Sequence, residues 1–136
     1  MRKFIEEYIG SAELRLTFSE LAINKHKFGD SIRECQAVVE LCSKALLMSV
    51  NQVVPKKHDM KNELNAAVPL FSDNVKNNID FMSELSKELR REREISMYGD
   101  DDSNKTQGQI YSEEDAKSFL IRTKRFYKIS CLELGI

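Results

Sequence analysis

The run Ser31-Ile32-Arg33-Glu34-Cys35-Gln36-Ala37-Val38-Val39-Glu40-Leu41-Cys42-Ser43-Lys44-Ala45-Leu46-Leu47-Met48-Ser49-Val50 carries apolar side chains around more than half of a helical circumference. That pattern predicts a helix touched by neighbours on several sides, the centre of a bundle. Pro55 ends it, because proline disfavours the α conformation at Val54 and has no N–H to donate. Upstream, Lys27-Phe28-Gly29-Asp30 reads as a turn whose Asp30 or Ser31 caps the new helix. Before it, Arg2 to about Lys25 sets Phe4, Ile5, Tyr8, Ala12, Leu16, Ser19 and Ile23 near one stripe, with Gly10 as a place to bend.

Downstream, a short helix is expected from about Asp59 to Leu70, carrying Met60, Leu64, Ala67 and Val68. Asp73 starts a long helix to about Met97, with Val75, Ile79, Met82, Leu85, Ser86 and Leu89 inward. The polar stretch from Gly99 to Gln109 reads as an exposed, mobile loop. Ser112-Glu113-Glu114-Asp115 has the form of a capping box, in which hydroxyl and carboxylate satisfy each other's free N–H groups. The helix it opens places Ala116, Phe119, Leu120, Thr123, Phe126, Tyr127 and Leu134 on one stripe. Four long helices and one short one predict an all-α fold, an antiparallel up-down bundle forming a single domain over residues 1–136.

Composition supports that reading. Of 136 residues, 41% are hydrophobic and 32% charged, so core and solvated surface are both supplied. Five Gly and two Pro are too few turn residues for a many-cornered sandwich or barrel. The balance of 21 Lys+Arg against 22 Asp+Glu exerts no general pull on polyanions, so a nucleic-acid contact must come from a local cluster. Cys35 and Cys42 lie two helical turns apart, too far for a disulfide, which points to buried reduced thiols and a cytoplasmic setting. Glu6 and Glu7 interrupt any secretory signal, and no stretch approaches the length of a membrane span.

The chemistry-bearing residues are few. With only His26 and His58, no paired Cys/His spacing, and an Asp100-Asp101-Asp102 triplet that lacks the alternating ligands of a calcium loop, no metal site and no cofactor are expected. Phosphate-binding glycine loops and the nucleophile-elbow motif are absent. The densest ionic run, Glu84 to Glu94, reads either as a solvated face laced with pairs such as Arg90 with Glu94, or as a functional cluster. In the second reading Arg91 and Tyr98 share a helical face and Arg93 lies about one turn before Tyr98, so a guanidinium fork beside a phenol can hold phosphate and stack on a base. Lys44 either pairs with Glu40 or lines a pocket, and Lys57 and its neighbour Lys56 either contact phosphate or are simply solvated. His58 either caps the short helix or approaches the arginine helix. His26 reads as a surface residue favourable to a helix end.

The E-x-x-x-K-A-L-L segment from Glu40 to Leu47, the Pro55-Lys56-Lys57-His58-Asp59-Met60 turn, the Arg93-Glu94-Ile95-Ser96-Met97-Tyr98-Gly99 helix end and the Ser112 helix start follow one another in an order that resembles the HEPN domains (higher eukaryotes and prokaryotes nucleotide-binding), in particular the small prokaryotic single-domain members. The resemblance covers nearly the whole chain. It implies a bundle of four or five helices that forms homodimers, binds nucleotide or RNA, and works beside a separately encoded minimal nucleotidyltransferase in toxin–antitoxin-like pairs. Family members with an Arg followed four to six residues later by His resemble metal-independent ribonucleases, His moving the proton and Arg steadying the phosphate charge. Here Tyr98 stands where that His would fall, and a phenol with a pKa of about 10 is a poor base at neutral pH. The expected function is therefore a nucleotide- or RNA-binding module using Arg91, Arg93, Tyr98, Lys44 and Lys57. The alternatives are an endoribonuclease toxin using Arg93 with Tyr98 or His58, and a purely structural helical oligomer.

Overall fold

The computed structural model describes residues 1–54, 56, 60–100 and 102–136, without the side chains of Glu94 and Met97. Lys57, His58 and the expected start of the short helix at Asp59 lie outside the described residues, as does the Arg90–Glu94 pair. The chain is 80% helical, and the all-α class holds. Its helices are α1 (Arg2–Asn24), α2 (Phe28–Ser49), α3 (Lys61–Ala67, continued by a 3-10 turn Val68–Leu70), α4 (Asp73–Lys76), α5 (Ile79–Tyr98), α6 (Gln107–Ile110) and α7 (Glu113–Leu134).

Helix α2 is the centre. It buries Ile32, Cys35, Val38, Val39, Cys42, Ala45, Leu46 and Leu47 and packs against α1, α5 and α7, whereas α1 and α5 scarcely meet. The arrangement is thus gathered round one largely apolar helix that keeps a single polar side, through Arg33, Glu34 and Glu40. Cross-helix pairs give the directions. Ser19 bonds Ser31 and Arg15 bonds Glu34, so α1 and α2 run antiparallel. Lys124 meets Glu20, Tyr127 meets Glu13 and Arg2 reaches the carbonyl of Leu134, so α7 runs antiparallel to α1. Cys35 and Cys42 are buried free thiols, and burial pushes both thiols above their usual range.

Four local expectations change. On α1 the buried stripe is Ile5, Ile9, Ala12, Leu16, Ser19 and Ile23, and Phe4 lies outside it. The turn before α2 is made by Lys25, His26 and Lys27, with His26 in the left-handed region at φ 58°, so Gly29 and Asp30 fall inside α2 and Asp30 pairs with Arg33 instead of capping. The long helix expected from Asp73 breaks at Asn77 and Asn78. There Asn78 donates its amide to the carbonyl of Asn74, and Asn74 donates to that of Ile129, giving the backbone an alternative to the helical ladder. Within the stretch expected as loop, Asp100 and Lys105 form an antiparallel bridge and a Thr106–Gln109 capping box starts α6. The capping box at Ser112 forms as expected, with Asp115 N–H donating to Ser112 Oγ at 3.1 Å and Ser112 N–H to Asp115 Oδ2 at 2.9 Å.

Ser72 begins α4, and its N–H and hydroxyl both donate to the carboxylate of Glu133 on α7. Burial alone would raise the Glu133 pKa, but the bonds from Ser72 and Asn74 outweigh it and hold the carboxyl below the ordinary range. A pKa lowered on folding adds stability that is present above the unfolded value and lost as pH falls through the folded one. Glu133→Gln is therefore expected to cost about 1 kcal/mol at neutral pH, and the difference from the parent should shrink to nothing in strong acid. Urea denaturation at the two pH values checks this.

Candidate functional site

Arg91 and Arg93 are two residues apart on α5 and so point to nearly opposite sides of the helix. Arg91 is exposed to solvent. Arg93 is half-buried and lines a groove of about 220 Å³ with Arg15 from α1 and Arg33, Glu34, Gln36, Ala37 and Glu40 from α2. Three guanidinium groups from three different helices thus border one concavity.

The charges in the groove are ordered. Glu34, whose side chain is 12% exposed, receives Arg15 Nη1 at 3.4 Å and lies 3.8 Å from Arg33 Nη2. Arg33 also lies 3.5 Å from Asp30, and its buried Nε–H has no hydrogen-bond partner among the described residues. Arg93 is held by neighbouring groups of the protein. Glu40, which lines the groove, pairs with Lys44 at 3.0 Å, the intrahelical arrangement, and Lys44 itself is not among the groove's lining residues. Such a set can accept an anion: guanidinium forks match the oxygens of phosphate, and the carboxylate between them keeps the arginines in place until a stronger acceptor displaces it.

Behind the groove, α5 is anchored on its other side. Tyr111 donates its hydroxyl to Glu92 Oε2 at 2.5 Å, and burial together with that carboxylate pushes the phenol well above its ordinary pKa. Gly29 of α2 lies so close to the end of α5 that a Cβ there would stand 2.6 Å from the Ser96 carbonyl oxygen. The Gly29 approach holds the end of α5 close to α2.

Tyr98 is 75% exposed and lines a different concavity of about 140 Å³ with Asp100, Asn104, Lys105 and Thr106. It is five residues beyond Arg93, about 7.5 Å along the axis. His58 and Lys57 lie outside the described residues. Among the described residues no three His, Cys, Asp or Glu side chains gather as a metal-sized cluster, and no helix is long and apolar enough to cross a membrane.

The sequence reading missed Arg15, Arg33 and Glu34 as members of the site. Arg33 and Glu34 were visible as adjacent charges in an otherwise apolar helix, a costly placement unless the charges are paired or used. Nothing marked Arg15, which joins only through the crossing of α1 over α2.

No curated protein and no solved structure matches the chain. The HEPN domain family matches residues 5–134, which takes in the apolar central helix, both sides of the arginine groove and the capped final helix. On that match the chain belongs to the HEPN domain family.

Proposed function

We propose that this HEPN chain binds the phosphates of nucleotide or single-stranded RNA in the groove between α1, α2 and α5. The observation that carries the reading is the convergence of Arg15, Arg33 and Arg93 on one cavity. Arg93 and Arg33 grip phosphate oxygens, Arg15 completes the positive wall, and Glu34 preorganises both α1 and α2 guanidiniums while the groove is empty. Lys44 adds charge as Glu40, which lines the groove, releases it. Arg91 lies on the opposite side of α5 and Tyr98 in a separate concavity beyond the groove's end, where its exposed phenol offers a face for a base of a longer strand. Lys57 is assigned to the same phosphate contacts as one of the two adjacent cations Lys56 and Lys57. The resemblance also supports self-pairing and pairing with a minimal nucleotidyltransferase in a toxin–antitoxin-like system. The reading is one of binding, with Tyr98 lining a concavity other than the one Arg93 lines.

Titration of fluorescently labelled single-stranded RNA, and of ATP, against the parent and Arg93→Ala tests this. Three arginine contacts to a single strand imply a salt slope near −2, roughly −0.7 per phosphate neutralised. Arg93→Ala is expected to weaken binding about tenfold and to flatten the slope by about 0.7. Absence of binding by the parent, or equal binding by both proteins, overturns the reading.

A further inference from the structure

Helix α7 turns one side wholly outward. Lys117, Ile121, Lys124, Lys128 and Leu132 are all exposed at steps of three and four residues, which keeps them on one side of the helix, and exposed Arg125 stands beside Lys124. Ile121, Lys124, Arg125 and Lys128 border a concavity of about 360 Å³. That is the low end of small-ligand sites, with room for one nucleotide unit. No α7 residue lines the arginine groove, so the two concavities are separate.

The four side chains offer different chemistry. Arg125 Cζ stands 4.0 Å from the centre of the Phe81 ring, and Arg125 Nη2 donates to Asn78 Oδ1 at 3.0 Å. A ring under one face and an amide at one edge hold the guanidinium plane in place, and the face turned away from Phe81 is left for a ligand. Arg122, which also stands over a ring, is used differently: its fork is taken by Glu88 at 2.7 Å, and it does not border the concavity. Lys124 pairs with Glu20 of α1, both side chains being nearly half exposed, and an exposed pair of this kind holds an ammonium only weakly. Lys128 makes no ion pair among the described residues. Ile121, 68% exposed, supplies an apolar wall.

We infer that this side of α7 holds one nucleotide unit of a single-stranded RNA, its base stacked on the open face of Arg125 against Ile121 and its flanking phosphates on Lys124 and Lys128. The two lysines are one turn apart, about 6 Å along the axis, so they stand on either side of a base seated between them. An acidic peptide fits less well. Carboxylates are read by the edge of a guanidinium through two parallel N–H bonds, and Arg125 gives part of that edge to Asn78. A flat cation already stacked on a ring is instead a platform, which suits an unpaired base, and a single strand leaves its bases open where a duplex does not. The inference goes beyond the arginine groove and stands whether or not the groove binds phosphate.

Titration of pentaadenylate into ¹⁵N-labelled protein, followed through the backbone amides of residues 121–128 and the Arg125 Nε–H, provides the test. These signals are expected to shift together and to saturate. Arg125→Lys keeps the charge but has no flat face, and it should weaken binding read at α7 about tenfold, while the Arg33 and Arg93 side-chain signals titrate as in the parent. A pentamer of the same sugar-phosphate backbone without bases should bind this side of α7 about tenfold more weakly than pentaadenylate. Lys128→Gln should flatten the salt slope by about 0.7. Movement of the groove signals with α7 unmoved overturns this inference and leaves the proposed function standing; movement of α7 with the groove unmoved does the reverse. The inference also falls if the base-free strand or pentaglutamate titrates the α7 signals as tightly as pentaadenylate, or if Arg125→Lys binds like the parent.

Discussion

Phe126→Ala is expected to lower the unfolding free energy by about 4 kcal/mol, which for a chain of this length takes about 12 °C from the Tm. Phe126 is the largest side chain with no exposure at all. It lies midway along α7 on the stripe with Thr123 and Ser130, both fully buried, which face Cys35 and Cys42 of α2. Truncation there leaves a cavity against the central helix, whose neighbours on three sides cannot all move in to fill it. Phe126→Leu keeps most of the volume and should cost about 1 kcal/mol. Thermal unfolding followed by circular dichroism measures both; a loss below about 1 kcal/mol for the alanine would mean that α7 repacks freely, contrary to the close contact described above.

Gly29→Val is expected to be nearly as damaging, for the opposite reason. A Cβ at Gly29 would stand 2.6 Å from the Ser96 carbonyl oxygen and 2.8 Å from the Gln107 Cβ, and would collide with Gln107 Oε1. Gln107 can swing its amide aside, but the Ser96 carbonyl belongs to α5 and can yield only if α2 and α5 part. Overpacking of this kind costs about 1–3 kcal/mol, occasionally more, and in Gly29→Ala the gain in helix propensity of up to about 1 kcal/mol offsets part of it. Alanine should therefore destabilise by about 1–2 kcal/mol, and the branched valine by more. The same parting moves Arg93 away from Arg33. Gly29→Ala should thus weaken RNA binding in protein that is still folded, an effect that a purely local packing role would not produce. Denaturant unfolding and the RNA titration, run on the same preparation, separate the two consequences.

Gly29 also illustrates what could be read before any fold was known. In the sequence it looks like a turn residue, since glycine beside Lys27, Phe28 and Asp30 is the usual punctuation between helices. The structure puts it inside α2, where its missing side chain admits the end of α5. Local chemistry offers no way to distinguish these uses. Phe4 makes the same point: its spacing suits either side of α1, and only the position of α2 shows that Ile5 and Ile9 face inward. The arginine run in α5 gave a list of cations, but which of Arg91 and Arg93 looks into a groove depended on where α1 and α2 cross in front of it.

Helix content, the central place of residues 31–49 and the capped start at Ser112 were settled by short-range causes: apolar periodicity and a hydroxyl–carboxylate pair three residues apart, whereas the central helix stops at Ser49, with Asn51 in the left-handed region at φ 58°, ahead of the expected halt at Pro55, which lies outside the described residues. Those act within a turn or two of chain and leave their mark in the order of residues. The groove is different. Arg15, Arg33 and Arg93 are separated by 18 and 60 residues, and their approach depends on the closeness of α2 to α1 and α5, which is governed by packed volumes that no neighbouring residue encodes.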